Sequence, residues 1–332
     1  MSARRAAASG AGATGAGATG TLEHGDRDWQ AAGRETVDDL TSLVRQRAKG
    51  VRDGVGVDAV HDMRTAIRRL RTAITLHGDA APKKERVTVE DELKRVARRL
   101  GTVRDLDVLL ETLDAHAAAG RARNHDGTEP LRDAWRTERE AGAERLTEEL
   151  GRPRFSDALR DAKRLARPRR DGAQNGDPGA GAETERVATQ APGRIWDAFG
   201  AVLAYQVDPK TADPDVIHQL RIAAKKLRYT LEAFQDALDP GASLIADVTA
   251  LQDAAGSMHD GIVAAQRARS TVAPLRLTKR QRAAVEAYAD GQVQAAEGLR
   301  PAVARSLRRV RSRAFRESLG RAVAGMGHVG AG

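Results

Sequence analysis

Two stretches of this chain carry one pattern: Val60-His61-Asp62-Met63-Arg64-Thr65-Ala66-Ile67-Arg68-Arg69-Leu70-Arg71 and Ile217-His218-Gln219-Leu220-Arg221-Ile222-Ala223-Ala224-Lys225-Lys226-Leu227-Arg228. On an α-helix, at about 100° per residue, His61, Arg64, Arg68 and Arg71 gather on one side, and Val60, Met63, Ile67, Leu70 and Ile74 on the adjoining side. Arg69 lies at the far edge of the polar arc. The second copy sets His218, Arg221, Lys225 and Arg228 against Ile217, Leu220, Ala224, Leu227 and Leu231, with Lys226 following Lys225 as Arg69 follows Arg68. A fold that accepts this chain must bury two apolar stripes and leave two basic ones accessible.

The surroundings of the two copies repeat as well. Each is preceded by an amphipathic stretch, Trp29 through Val37, Leu40, Leu43 and Val44 in one case and Ile195, Trp196, Phe199, Val202 and Leu203 in the other. Apolar residues at three- and four-residue steps predict helices there. The first ends near Lys49-Gly50, and the motif helix then starts at or after Asp58 as N-cap and stops at Gly78. Val89, Leu93, Val96 and Leu100 form the next apolar face, with Lys94 and Arg98 along one flank. That face leads into Gly101-Thr102-Val103-Arg104-Asp105, where glycine is expected to break or bend the helix. Gly256-Ser257-Met258-His259-Asp260 ends the matching helix after Leu244, Ile245, Val248 and Leu251. The motif histidines stand 157 positions apart and these glycines 155, an offset expected of a duplicated unit. Two more helical runs, about 130 to 150 and 154 to 166, complete the first half. Pro301 to about Leu319, with Arg305, Arg308 and Arg309, closes the second.

Composition supports an all-α fold, and the repeat makes it a pair of pseudo-symmetric helical bundles. Apolar residues are mostly Ala, Leu and Val, with only 3% aromatic, which suits close helix packing rather than sheets. The expected organisation is a Gly/Ala-rich tail over 1–27, a first half over 28–167, a Pro/Gly-rich linker over 168–185, a second half over 186–319 and a flexible terminus over 320–332. With no cysteine, disulfides, thiolate catalysis and cysteine-ligated zinc are excluded. No continuous apolar run approaches membrane-spanning length and Met1–Gly20 lacks a secretory core, so a cytoplasmic protein with no membrane partner is expected.

The 55 Lys and Arg residues exceed the 46 Asp and Glu by nine, which favours an anionic partner. No acidic residue stands three or four positions after Arg64, Arg68, Arg221 or Lys225, so these bases lack the usual intrahelical pairing; only Glu232, four after Arg228, offers it. Phosphate polymers of any kind suit such rows, through charge-assisted hydrogen bonds and counterion release. Nucleic acid is the weaker candidate, because the motif faces offer no stacking rings and Tyr229 has no aromatic match at Thr72. The turn following each motif histidine supplies no second metal ligand, so no metal or cofactor is expected. Asp105 and Asp107, two apart, point different ways on a helix, Asp105 being expected to pair with a base or cap a helix. There is no Gly-x-x-x-x-Gly-Lys phosphate loop.

The paired motifs and the Leu100-Gly101-x-x-Arg104-Asp105-x-Asp107-Val108 element resemble the CHAD family, the conserved histidine α-helical domain. The resemblance covers roughly Asp28 to Leu319. It implies binding of inorganic polyphosphate in a basic groove or pore between the two bundles, often at polyphosphate granules, by the motif residues His61, Arg64, Arg68, Arg69, Arg71, Arg104, His218, Arg221, Lys225, Lys226 and Arg228. Charge adds Lys94, Arg98, Arg305, Arg308 and Arg309 to the same expected surface, and the lack of a catalytic constellation makes the expected binding non-catalytic. The departure is His259, which stands where the first half has Arg104. Members of that family often adjoin a triphosphate-tunnel hydrolase domain, whose alternating glutamates are not found here, so a stand-alone binding domain is expected. The alternatives are a metal-dependent polyphosphate or nucleoside triphosphate hydrolase using Asp105, Asp107 or Asp260, and a scaffold for nucleic acid or acidic proteins.

Overall fold

The computed structural model describes residues 26–78, 81–119, 125–166, 186–239 and 241–326. The linker over 168–185, the tail before residue 26 and the terminus after 326 lie outside them. Residues 26 and 27, assigned to the tail from the sequence, are held in place. Asp26 accepts from Arg186 at 3.0 Å, and the Arg27 carbonyl accepts from the Val187 amide. This joins the beginnings of the two halves through an isolated bridge, Asp28 to Arg186.

Among the described residues every named element is a helix. In the first half run α1 (Trp29–Asp53), α2 (Val57–His77), α3 (Lys83–Ala119), α4 (His125–Gly151) and α5 (Pro153–Leu165). In the second come α6 (Val187–Leu203), α7 (Pro214–Ala233), a 3-10 turn over Gln235–Ala237, α8 (Gly241–Val272), α9 (Lys279–Gly298), α10 (Arg300–Val310) and α11 (Arg313–Gly325). Asp28 caps α1, accepting from the Ala31 amide at 2.6 Å. No helix of the described residues is long and apolar enough to cross a membrane.

Several boundaries differ from the sequence reading. Helix α1 continues past Gly50 to Asp53, and α2 begins at Val57 with Gly56 as its cap, so Asp58 lies inside the first turn. The expected break at Gly101 does not occur: α3 runs unbroken to Ala119. Gly256 likewise sits in the middle of α8, buried, rather than at its end. One glycine in a helix interior costs only about 1 kcal/mol, and Leu100, Val103, Leu106 and Leu113 are each at most 1% exposed along that stretch of α3. Burying one such side chain contributes roughly 1.5–3 kcal/mol, so packing overrides the local preference. Beyond Val310 the chain turns at Arg311-Ser312 into α11, which stays helical through Gly325 because Leu319 and Ala322 are fully buried. Helix α9 was not singled out in the sequence.

Three apolar clusters organise the packing. One gathers α1 through α5 around Val60, Met63, Ile67, Leu70 and Ile74. A second gathers α6 through α11 around Ile217, Leu220, Leu227 and Leu231. Each motif helix thus turns its apolar side inward. The third draws on both halves, with Leu106, Leu113 and Trp135 meeting Ala268, Val285 and Tyr288. Trp29 also crosses over: it belongs to the second-half cluster, with its ring 4.1 Å from His77 and 5.9 Å from Phe234. The halves are therefore interlocked, and α2 packs directly on α7.

Candidate functional site

The direction of the basic side chains is set by what lies behind them. Met63, Ile67, Leu70, Leu220 and Leu227 are fully buried, which fixes the rotation of α2 and α7 and turns both basic rows toward the seam where the helices meet. Asp213 caps α7 by accepting from the Asp215 amide at 2.8 Å, and Pro214 opens the helix.

At the seam, Arg64, Arg68 and Arg71 of α2, Lys94 and Arg98 of α3 and Lys225 of α7 line one cavity of about 300 Å³, with Tyr229 and Ala97. Six cations from three helices face it, and no carboxylate does. Among the described residues no ion pair engages Arg64, Arg68, Arg71, Arg98 or Lys225; Lys94 is held by Asp91 at 3.2 Å and Glu90 at 3.6 Å. The Nε atoms of Arg68 and Arg71 are buried and have no hydrogen-bond partner. Burial holds the Lys225 ammonium down at about 8, with repulsion from Arg221, Arg64, Arg68 and Arg71 adding to it. Burial also lowers Arg68, against the favourable influence of Tyr229.

Tyr229 occupies the middle of this crowd. Its ring centroid lies 4.5 Å from the guanidinium carbon of Arg68, 5.1 Å from that of Arg228 and 5.7 Å from the Lys225 ammonium. A ring does stand on the basic faces, then, contrary to the sequence reading, which compared the two helices position by position. Tyr229 serves α2 from α7, a relationship visible only across the seam.

Next along the seam, Arg221 approaches Asp260 at 3.9 Å. Desolvation raises the Asp105 carboxyl although Arg64 and Arg221 pull it down and Asp260 adds to the rise. Asp105 lies within α3, so it does not cap a helix, and among the described residues it forms no ion pair. His218 and His259 stack with centroids 4.0 Å apart and ring planes inclined by 34°. Burial lowers His259, as do His218 and Arg221, which favours its neutral form. Nδ1 of His218 is buried with no hydrogen-bond partner.

The remaining sequence candidates are dispersed. His61 and Lys226 are exposed and Arg104 is half-buried; none of them lines the cavity. Arg69 faces an adjoining pocket. Arg228 is engaged by Glu232 at 3.4 Å. Arg309 is taken by Asp247 at 2.9 Å, and Arg305 and Arg308 are exposed on α10, away from the seam cavity. Asp107 is committed to structure: its buried carboxylate accepts from Arg139 Nε at 2.8 Å, while Arg139 also donates to the Val55 carbonyl. No three His, Asp or Glu side chains among the described residues converge as a metal site.

Fold and site together define an all-α protein whose two helical clusters interlock along a cationic seam. The chain belongs to the CHAD domain family, whose model matches residues 35–269. An uncharacterized protein of Mycobacterium tuberculosis strain H37Rv is 30% identical over 191 residues, 53% of this chain and 34% of that protein. The same figures hold for an uncharacterized protein of strain CDC 1551. The chain thus spans about a third of the length of these curated relatives. The crystal structure of the CHAD domain from the plant Ricinus communis aligns with a TM-score of 0.59 at 20% identity, covering 92% of this chain and 94% of that one. PptA from Streptomyces chartreusis aligns at 0.61 and 18% identity, covering 83% and 98% respectively.

Proposed function

We propose that this protein binds inorganic polyphosphate, without catalysis, in the seam between α2, α3 and α7. The observation that carries the reading is the set of six cations around one cavity with no acid among them. Two unit charges about 4 Å apart repel by roughly 4 kcal/mol at the dielectric of a protein surface. Such a cluster is held together by the apolar packing behind it, and a polyanion relieves the repulsion. Arg64, Arg68, Arg71 and Arg98 offer planar donor forks for phosphate oxygens, and Lys225 and Lys94 add point charges. Arg221 extends the row, and Lys226, His61 and His218 lie along the same helices. Membership of the CHAD family supports polyphosphate as the partner, and a cytoplasmic location at polyphosphate granules follows from the same reading. The sequence repeat supports a duplicated origin for the two basic helices.

The absence of catalysis is part of the proposal. Asp107 is tied to Arg139 and is unsuited to holding a metal; magnesium-dependent phosphate release by the purified protein would overturn this. The binding claim is tested by measuring affinity for long-chain polyphosphate and for duplex DNA of matched charge at two salt concentrations. Polyphosphate should bind more tightly at both, with affinity falling steeply as salt rises. Equal or tighter binding of DNA sinks the claim.

A further inference from the structure

A second cavity, of about 410 Å³, opens beside the cationic one, and Arg68 and Tyr229 line both. Its character is different. Asp39 of α1, Glu232 of α7 and Asp236 of the 3-10 turn line it together with Arg68 and Arg69, and Leu40, Leu76 and Ile245 supply apolar wall. Glu232 is shared with Arg228, whereas Asp39 and Asp236 have no ion-pair partner among the described residues. Carboxylates that accept hydrogen bonds, balancing guanidinium groups and apolar wall suit a neutral, flat group with N–H donors on its edge. Phosphate by itself would be repelled by the three acids, and a polycation would meet Arg68 and Arg69. The volume falls in the range of small-molecule sites, roughly 300–1,000 Å³.

We propose that this pocket receives the nucleoside of a nucleoside polyphosphate, whose phosphate chain passes Arg68 into the cationic cavity. The base amino and ring N–H groups donate to Asp39 and Asp236, Glu232 being held by Arg228. The apolar walls cover the sugar and base faces, and Arg68, lining both cavities, is reached by the first phosphates. The inference rests on the polyphosphate reading of the neighbouring cavity and adds a preference for an organic end group.

The test compares inorganic tripolyphosphate, ATP and GTP on the full chain by calorimetry at fixed pH, magnesium and ionic strength. At least one nucleotide should bind about tenfold more tightly than tripolyphosphate. Asp39→Asn with Asp236→Asn removes two negative charges, so it should strengthen tripolyphosphate binding while bringing the nucleotide-to-tripolyphosphate ratio close to one. Ala233→Trp, at an exposed residue lining this pocket and not the cationic one, should abolish the preference by filling space and leave tripolyphosphate binding in place. Equal affinities in the unaltered chain, or a preference that survives both variants, overturn the inference alone. If neither tripolyphosphate nor long-chain polyphosphate binds, the functional reading falls first and this one with it.

Discussion

The guanidinium of Arg68 on α2 lies over the ring of Tyr229 on α7, 4.5 Å from its centroid. This contact joins the two halves at the point where the cationic cavity meets its mixed neighbour. A cation over a partly desolvated ring is worth about 1–2 kcal/mol. Tyr229→Ala should lower the thermal midpoint by a few degrees and weaken polyphosphate binding several-fold. Tyr229→Phe, which keeps the ring, should change neither. Loss of binding in the Phe variant would assign the effect to the hydroxyl instead.

Among the described residues Arg64 and Lys225 have no ion-pair partner and Arg221 only the long approach to Asp260, while the contact of Arg68 with Tyr229 is offset by repulsion among the four cations, so their joint removal should spare the fold. The quadruple Ala variant is expected to unfold at an unchanged or higher temperature and to lose at least a hundredfold in polyphosphate affinity. The dependence of log affinity on log salt should flatten with each charge removed. Retained affinity in a folded variant would move the site elsewhere.

The depressed ammonium of Lys225 makes binding pH-dependent. A bound polyanion favours the charged form, so binding near pH 8 takes up a proton. Affinity should be flat below about pH 8 and fall as pH rises above it, and Lys225→Arg should remove that slope. The sign for folding is opposite. The unfolded chain protonates this lysine at its ordinary 10.5 and the folded chain only near 8, so this group's contribution to stability rises between pH 8 and 10.5. Titration calorimetry in two buffers of different ionisation enthalpy reads the proton uptake directly.

Asp105 is an exposed carboxylate on α3 whose surroundings raise its pKa. Its raised folded-state pKa means that the folded chain keeps the proton longer than the unfolded one, so its contribution to stability declines as pH rises from 3.8 through the folded value. Asp105→Asn is therefore expected to leave stability at pH 7 unchanged or slightly higher. It should also tighten polyphosphate binding by removing a negative charge near Arg64 and Arg221. A clear drop in either quantity would show that Asp105 instead supports the arginines.

The neighbouring acid behaves in the opposite way. Asp107 is buried, 2.8 Å from Arg139, and Asp107→Asn leaves that guanidinium without its counter-charge. Breaking such a pair costs about 3 kcal/mol or more. Urea unfolding should register that loss, while polyphosphate affinity, measured where the variant is folded, stays within twofold.

Much of this was legible in the residue order. Helix-forming composition and three- and four-residue apolar steps announced an all-α chain, and the recurrence of His-x-x-Arg with two following bases marked α2 and α7 as the basic helices. Arg64, Arg68 and Arg71 could be grouped from spacing alone because one helix fixes their relative directions. Lys94 and Arg98 are readable as the flank of the next helix. The break expected at Gly101 failed because a propensity of about 1 kcal/mol is small beside the burial of the leucines around it. Arg305, Arg308 and Arg309 were grouped with the site on charge alone, and charge does not say which face of a bundle a helix occupies.

The sequence by itself determined the elements and their amphipathic sides, since both follow from local periodicity and every α-helix has the same geometry. Only the tertiary structure decided which basic rows meet. That depends on the angle and rotation at which α2 packs on α7, set by many apolar contacts between residues more than a hundred positions apart, such as those that carry Trp29 into the second-half core. The same packing placed Tyr229 beneath Arg68, turned Asp107 to Arg139 and gave Arg309 to Asp247. It left six cations facing one cavity, because the side chains behind them had no other way to leave water.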